Sequence, residues 1–471
     1  MKTIFISINR GLLARNILRT DVFKILKEQP DVRIIVFLPP GIKDYIRKEL
    51  EVPGKVILEE LHWFKYGAFR RFVFLPFLQG LLFTDTTKII YKYGSQRVKR
   101  LNILVYVFRY CLYSVLQHFD AIKRLARWVE FNVFKDLAYE YFFEKYQPDL
   151  VFTPSVISMG DVALLKSAKR RNILQVAMPK SWDHLDKFLH QFVPSCFIVQ
   201  NTYLKEAAIH LQKYDPKTVL VSGYPQFDIY TRHDLLWTRE QFCARLGLDP
   251  KSKLIFFGSS GVWTPQDEQI VEMLYQWIMK GDFHYPVALL IRPHPADCYK
   301  KRFERFKGLP KLAVVDYRLT DCFSDRWDPD WEEMVEFFNI LYHMDLNVNS
   351  FSSLTLDSVC FDKPVVNVAF DVNPTSFKDS IIHMYERANY REVVVSGAVS
   401  MAYNQEEFKQ SINKYLEHPE LDHEARERLR RYLCGRLDGK AGDRIARHIL
   451  FLLGVEGGID LGSRQTETQD T

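Results

Sequence analysis

Three serines, Ser350, Ser352 and Ser353, stand together late in the chain, after the apolar run Leu346–Asn349 and before a helical pattern that ends at Phe361. Such a turn leaves the first backbone N–H groups of a helix unpaired and sets hydroxyls beside them, which suits a phosphate. A second small-residue turn, Gly258-Ser259-Ser260-Gly261, follows the apolar run Leu254–Phe257 and lets a ligand approach the backbone closely. Thr264 is expected to cap the next helix, with Pro265 at its first position. At the end of a third apolar run stand Arg292 and His294, in a loop stiffened by Pro293 and Pro295. An imidazole there can hydrogen-bond or protonate a departing phosphate, and the guanidinium can supply charge.

Other residues suit a second reactant. Ser181-Trp182-Asp183-His184 follows a predicted strand and offers a carboxylate and an imidazole as bases toward an acceptor hydroxyl, with Trp182 as a contact surface. A solvated loop or a helix cap explains the same four residues equally well. Arg10, Arg15 and Arg19 lie at and just after the end of the first predicted strand, where arginine suits an anionic acceptor. An exposed helix face would also account for them. Asp325, Asp328 and Asp330 form a DxD-like cluster, but they lie among prolines and tryptophans away from a strand end. They read as a loop, so neither a metal nor another cofactor is expected.

The elements that must carry these residues are legible as alternating apolar runs and helical patterns. Strands are predicted at Thr3–Ile8, Arg33–Leu38, Val56–Glu60, Asp149–Thr153, Ile173–Ala177, Cys196–Val199 and Val219–Ser222. A fresh series follows at Leu254–Phe257, Val287–Ile291, Leu312–Val315, Leu346–Asn349 and Val365–Phe370, with a last helix over Ala441–Leu453. Single helices are predicted over Leu12–Glu28 and Thr231–Ser252. At 471 residues the chain exceeds one ordinary core. The pattern predicts an α/β protein with two Rossmann-like domains facing across a cleft, over 1–235 and 236–453, and a disordered tail over 454–471.

Residues 62–147 interrupt the first domain as a helical, aromatic and basic insertion. Between Lys65 and Lys135 there are 13 Lys/Arg against three acids, although the whole chain carries a net charge of only +6. One face is therefore basic, which points to an anionic surface or substrate and away from nucleic acid. Stretches such as Phe69–Phe83 and Arg100–Phe119 mix aromatic, aliphatic and basic residues, as interfacial helices do, while internal packing or an oligomer contact fits them too. The seven cysteines show no paired spacing, and neither a signal peptide nor a membrane span is evident. The expectation is a cytoplasmic protein, or one peripheral on the inner face of the cell membrane.

His294 with its proline neighbours, the serine turn, and Asp362-Lys363-Pro364 before a strand ending in Asp371 together resemble the GT-B transferases that use cytidine-linked donors. Within these the chain is similar to the CDP-glycerol glycerophosphotransferase-like group. Bacterial surface-polysaccharide transferases share the looser pattern. Gly223-Tyr224-Pro225-Gln226-Phe227-Asp228 and Leu437-Asp438-Gly439-Lys440-Ala441 carry the same resemblance. It implies that His294, Ser352 and Ser353 contact donor phosphates, with Arg292 adjacent. The group also carries a His-Gly loop in its first domain, with that His as a proposed base, where this chain has Ser181-Trp182-Asp183-His184.

The resulting expectation is a metal-independent transferase. It would move a sugar, or a polyol phosphate, from a CMP-, CDP- or UDP-linked donor to a surface-polysaccharide or lipid-linked acceptor, docking on an anionic membrane through 62–135. Asp183 is the first choice of base and His184 the second. A nucleotide-sugar epimerase of the same fold, or a non-catalytic glycan- or membrane-binding protein, are the alternatives.

Overall fold

In the computed structural model, which describes residues 1–61, 66–93, 101–298, 301–376 and 380–456, the apolar runs become parallel strands in two sheets. The expected tail lies, from 457 onward, outside the described residues. The first sheet holds Lys2–Ser7 (β1), Val32–Leu38 (β2), Val56–Glu60 (β3), Leu150–Thr153 (β4), Leu174–Ala177 (β5), Cys196–Val199 (β6) and Val219–Val221 (β7). Its order is β3-β2-β1-β4-β5-β6-β7. The second holds Lys253–Gly258 (β8), Val287–Arg292 (β9), Leu312–Val314 (β10), Leu346–Asn349 (β11), Val365–Val368 (β12) and Ser400–Ala402 (β13), in the order β10-β9-β8-β11-β12-β13. Strands such as β4 and β9 are buried along their whole length, because helices cover both faces of a parallel sheet. The edge strand β13 was not expected. Two half-buried residues and a buried alanine give no apolar run to read.

The helices that bear on the site are Asp21–Glu28 (α1), Ile103–Leu116 (α2), Asp120–Asn132 (α3), Met159–Arg170 (α4), Asp267–Lys280 (α5), Trp331–His343 (α6), Leu354–Cys360 (α7), Ala388–Val395 (α8) and Ala441–Leu452 (α9). The expected helix Leu12–Glu28 is broken. Helical turns run from Gly11 to Leu18, Thr20 becomes extended and returns its hydroxyl to the Asn16 carbonyl, and α1 starts afresh. The expected helix over Thr231–Ser252 shrinks to Arg239–Leu246, set by a capping box of Thr238 and Gln241 and stopped at Gly247. Gln266, not Thr264, caps α5, because the Thr264 hydroxyl is taken by Asp267.

One boundary is corrected. Residues to 453 were assigned to the second domain, yet α9 returns to the first sheet. Ile445, Ala446, Ile449 and Leu450 join a core with Ile4, Ile6, Val36 and the α1 residues Val22 and Leu26. The start of α9 is fixed by Asp228, whose carboxylate accepts from the N–H groups of Ala441 (3.0 Å) and Gly442 (2.7 Å).

The insertion is anchored by buried charge. Arg70 pairs with Glu130 and Asp136, and Lys166 of α4 reaches Glu130 at 2.9 Å. Among the described residues no helix is long and apolar enough to cross a membrane.

Asp228→Ala should cost roughly 1–3 kcal/mol, since it orphans two buried N–H groups at a helix start. Urea unfolding would show it as a lower midpoint. An unchanged midpoint would mean that α9 does not need this anchor.

Candidate functional site

In open parallel sheets, ligands bind beyond the C-terminal strand ends, at the point where strand order reverses. In the second sheet that point lies between β8 and β11. Three loops converge there: Gly258–Gly261 after β8, Arg292–Asp297 after β9, and Ser350–Ser353 after β11. Ser260 Oγ donates to the Ser350 carbonyl at 2.6 Å, tying the first loop to the third. Asp297 ties the first to the second by accepting from the Ser259 hydroxyl and from His294 N at 3.4 Å. Gly261 is required by its positive φ and close approach, and a side chain at Gly258 would have to displace the end of Leu354. A Cβ on Gly258 would lie 2.0 Å from Leu354, and one on Gly261, at φ +69°, would lie 2.9 Å from His294 Nδ1.

The serine turn is held in an unusual shape. Phe351 adopts φ 49°, a left-handed conformation that is costly for a bulky residue. Its N–H donates to Tyr385 Oη at 3.1 Å, and its ring lies 4.7 Å from that of Tyr390. Ser353 is exposed and Ser352 half-buried, so both hydroxyls can reach a ligand. Ser350 Oγ is buried and has no partner among the described residues. Burial lowers the His294 pKa, while Asp297 and Asp325 pull it up. The ring is therefore neutral near pH 7 and presents a hydrogen bond rather than a full charge.

Several expected roles are corrected. Arg292 is only 3 % exposed and pairs with Glu333 at 3.0 Å between the rings of Tyr317 and Phe337, so it braces the loop from beneath. Trp182 is 5 % exposed and packs on Tyr390, so it is core and not an acceptor surface. The Arg19 guanidinium is held by Asp328 and, at 3.2 Å, by Glu49. Arg15 lies 5.2 Å over the Trp327 ring, whereas Arg10 sits half-buried at the cleft. The Ser259 hydroxyl is taken up by Asp267 and Asp297.

The Asp cluster is a strap from the second sheet onto the first. Asp325 accepts from Gly11 N (2.8 Å) and Leu12 N (3.3 Å), Asp328 binds Arg19 and Tyr45, and Asp330 caps α6. Gly11 is needed there, because a Cβ would fall 1.3 Å from the Trp327 carbonyl oxygen. Among the described residues no group of three or more His, Cys, Asp or Glu is placed to hold a metal ion.

Across the cleft, Asp183 pairs with Lys187, and the positive charge around it holds its carboxyl far below the usual range. Such a carboxylate is a weak base. His184 is buried, which holds it neutral, and its Nδ1 has no partner among the described residues. Two cations escaped the sequence reading. Burial and the repulsion of Arg10 bring the Lys180 amine down to about 8. Arg387, 7 % exposed, lies 5.1 Å over the Phe351 ring of the serine turn, and its Nε has no partner among the described residues. Lys180 directly precedes the Asp183–His184 loop and Arg387 lies in sequence with no other mark of a site, and burial is what sets both apart.

Beneath the β8 loop, Asp267 accepts from Ser259 Oγ (2.8 Å), Ser260 N (3.0 Å) and the Thr264 hydroxyl. Burial, opposed by these bonds, pushes its carboxyl up to about 7. The native state then keeps a proton that the unfolded chain releases near pH 3.9. Stability from this group is full below that value and is lost as pH rises through about 7. Asp267→Asn should remove this dependence. In urea unfolding the wild type should lose roughly 2–3 kcal/mol relative to the variant between pH 5 and pH 8. A constant difference would show that Asp267 is ionised throughout.

The comparisons with known proteins agree with this geometry. No curated protein matches the chain. Among solved structures, an S. aureus MnaA–UDP co-structure has a TM-score of 0.54 at 14% identity, covering 97% of this chain and 98% of its own. A Neisseria meningitidis UDP-GlcNAc 2-epimerase bound to UDP-GlcNAc has a TM-score of 0.51 at 11% identity, over 96% and 100%. The wall teichoic acid polymerase TagF, as a variant soaked with CDPG, has a TM-score of 0.52 at 12% identity, over 96% and 88%. These likenesses establish the GT-B fold. The family model of the CDP-glycerol:poly(glycerophosphate) glycerophosphotransferases matches residues 117–451. That span takes in the Asp183–His184 loop, His294 and the serine turn, so the chain belongs to this family and is a transferase that works from a nucleotide-activated donor.

Proposed function

We propose that the protein transfers a polyol phosphate from a CDP-linked donor to a hydroxyl of a cell-envelope polymer or a lipid-linked acceptor. The observation that carries this reading is the convergence of three loops around neutral His294, Ser352 and Ser353 at the β8/β11 switch point. The family match favours a polyol phosphate over a sugar, and a transferase over an epimerase.

In this reaction the acceptor oxygen bonds to the phosphorus that carries the polyol. The bond from that phosphorus to the bridging oxygen breaks and CMP leaves. The hydroxyl proton passes to a base on the first-sheet side, which we assign to His184 ahead of Asp183, because Asp183 is committed to Lys187. His294 and the serine hydroxyls stabilise the departing phosphate, and Lys180 and Arg387 supply positive charge from the cleft walls. This scheme assigns no step to a metal.

Calorimetry with CDP, CMP, UDP, GDP and dTDP should show saturable binding of a cytidine nucleotide, unchanged by EDTA. Ser352→Ala/Ser353→Ala and His294→Ala should each weaken it about tenfold or more, with little change in unfolding temperature. Full affinity in both variants would remove the loops from the donor site.

The insertion gives the acceptor a route. Phe69, Phe72, Ile103, Leu104, Phe108 and Trp128 are all exposed, Leu104 by 75%, alongside Arg71 and Arg109. Apolar and basic side chains on one insertion suit the interface of an anionic bilayer. Leu104→Glu/Phe108→Glu should abolish cosedimentation with phosphatidylglycerol vesicles and leave cytidine-nucleotide binding intact. Undiminished cosedimentation would assign the insertion another partner.

A further inference from the structure

The first sheet has a switch point of its own, between β1 and β4. A narrow pocket sits there, lined by Ser7, Asn9, Phe37, Leu61, Tyr139 and Asp161 among others, with about 30 Å³ of room for a water-sized group. Its floor is polar and buried. Asp161, in the first turn of α4, is fully buried and accepts from the hydroxyls of Ser7 and Ser158 and from Asn9 Nδ2 at 3.4 Å. Asn9 Nδ2 also donates to Ser158 Oγ at 2.7 Å. Tyr139 is 1 % exposed, yet its hydroxyl has no partner among the described residues. A bound hydroxyl would give this phenol the hydrogen-bond partner it lacks. The rim, Asn9, Leu61, Met159 and Gly160, is half-exposed, so the pocket reaches solvent.

The chemistry of the lining selects the ligand. Among the described residues no lysine or arginine lines the pocket, so an anion would find no countercharge from them and would face the Asp161 carboxyl. Hydroxyls, an amide and a carboxyl over an apolar wall suit a neutral polyol. We propose that this pocket is the acceptor subsite and takes the uncharged, hydroxyl-bearing end of the acceptor chain. The proposal rests on the transferase reading above and names where its second substrate ends. The pocket adjoins the cleft. The Asn9 carbonyl accepts from Ser324 Oγ of the strap at 3.1 Å, and Asp325 of the same strap acts electrostatically on both His294 and Lys180.

Two small changes test it. A Cβ on Gly160 would lie 3.6 Å from Tyr139 Oη and 3.8 Å from Leu61, an ordinary contact that fills the mouth without strain. Tyr139→Phe removes only a hydroxyl that has no partner among the described residues. With glycerol as probe, saturation-transfer NMR on the full chain should show saturable binding to the wild type. Binding should be at least fivefold weaker in both Gly160→Ala and Tyr139→Phe, and inorganic phosphate should not compete. The unfolding temperature of Tyr139→Phe should stay level or rise. Absent glycerol binding, equal binding in all three proteins, or competition by phosphate would each overturn the proposal. Calorimetry with CDP on the same samples separates the two readings, because loss of nucleotide binding would sink the transferase assignment and leave the glycerol result standing.

Discussion

Helix starts carry N–H groups that the helix cannot pair, and in this protein the decisive ones lie at the junction of the two sheets, where water cannot serve them. Carboxylates from the opposite side of the junction do so. Asp325, from the second sheet's strap, takes the N–H groups of Gly11 and Leu12 after β1. Asp186, from the loop after β5, takes that of Asn389 at the start of α8, and the Thr86 hydroxyl binds both Asp186 and Ala388 N. Asp228 does the same within the first domain, for α9. Burial pushes Asp186 and Asp228 up to about 6, the cost of placing carboxyls where they satisfy the backbone. The contacts that cross the junction tie the turn after β1 to the strap and the loop after β5 to α8.

Given that frame, the chemistry is sorted by position. Each sheet reverses its order once, and polar side chains gather at the C-terminal strand ends beside each reversal. The second sheet's loops present hydroxyls and a neutral imidazole, and the first sheet's present hydroxyls and a buried carboxyl. Among the described residues Arg10, Lys180 and Arg387 add positive charge around the loop that carries Asp183 and His184. On the reading proposed above, that charge favours a phosphate in the cleft.

Twelve strands were legible because parallel strands buried on both faces read as unbroken apolar runs. His294, Ser352 and Ser353 were legible because strand-end loops of small and polar residues are where such a fold binds ligands. What failed was any judgement that a charged side chain was free. Arg19 reads as an exposed arginine until Asp328, more than three hundred residues away, takes its guanidinium. Arg292 reads as a ligand contact until Glu333 of α6 claims it from below. Trp182 reads as an acceptor platform until Tyr390 covers it. Local sequence fixes a residue's type and its element, but the partner that spends its charge comes from the fold.

The same reasoning explains why the unexpected residues matter more than the expected ones. In a folded protein a buried polar group is normally paired, and Tyr139 Oη, Ser350 Oγ and Arg387 Nε are among the buried atoms that have no partner among the described residues. Packing alone would have favoured Phe, Ala and an uncharged side chain at those three positions. Each lies at a switch point or on the cleft wall between the two. Each is a hydrogen-bonding group that a substrate can meet, a phosphate in the cleft and a hydroxyl at the first sheet on the reading proposed above.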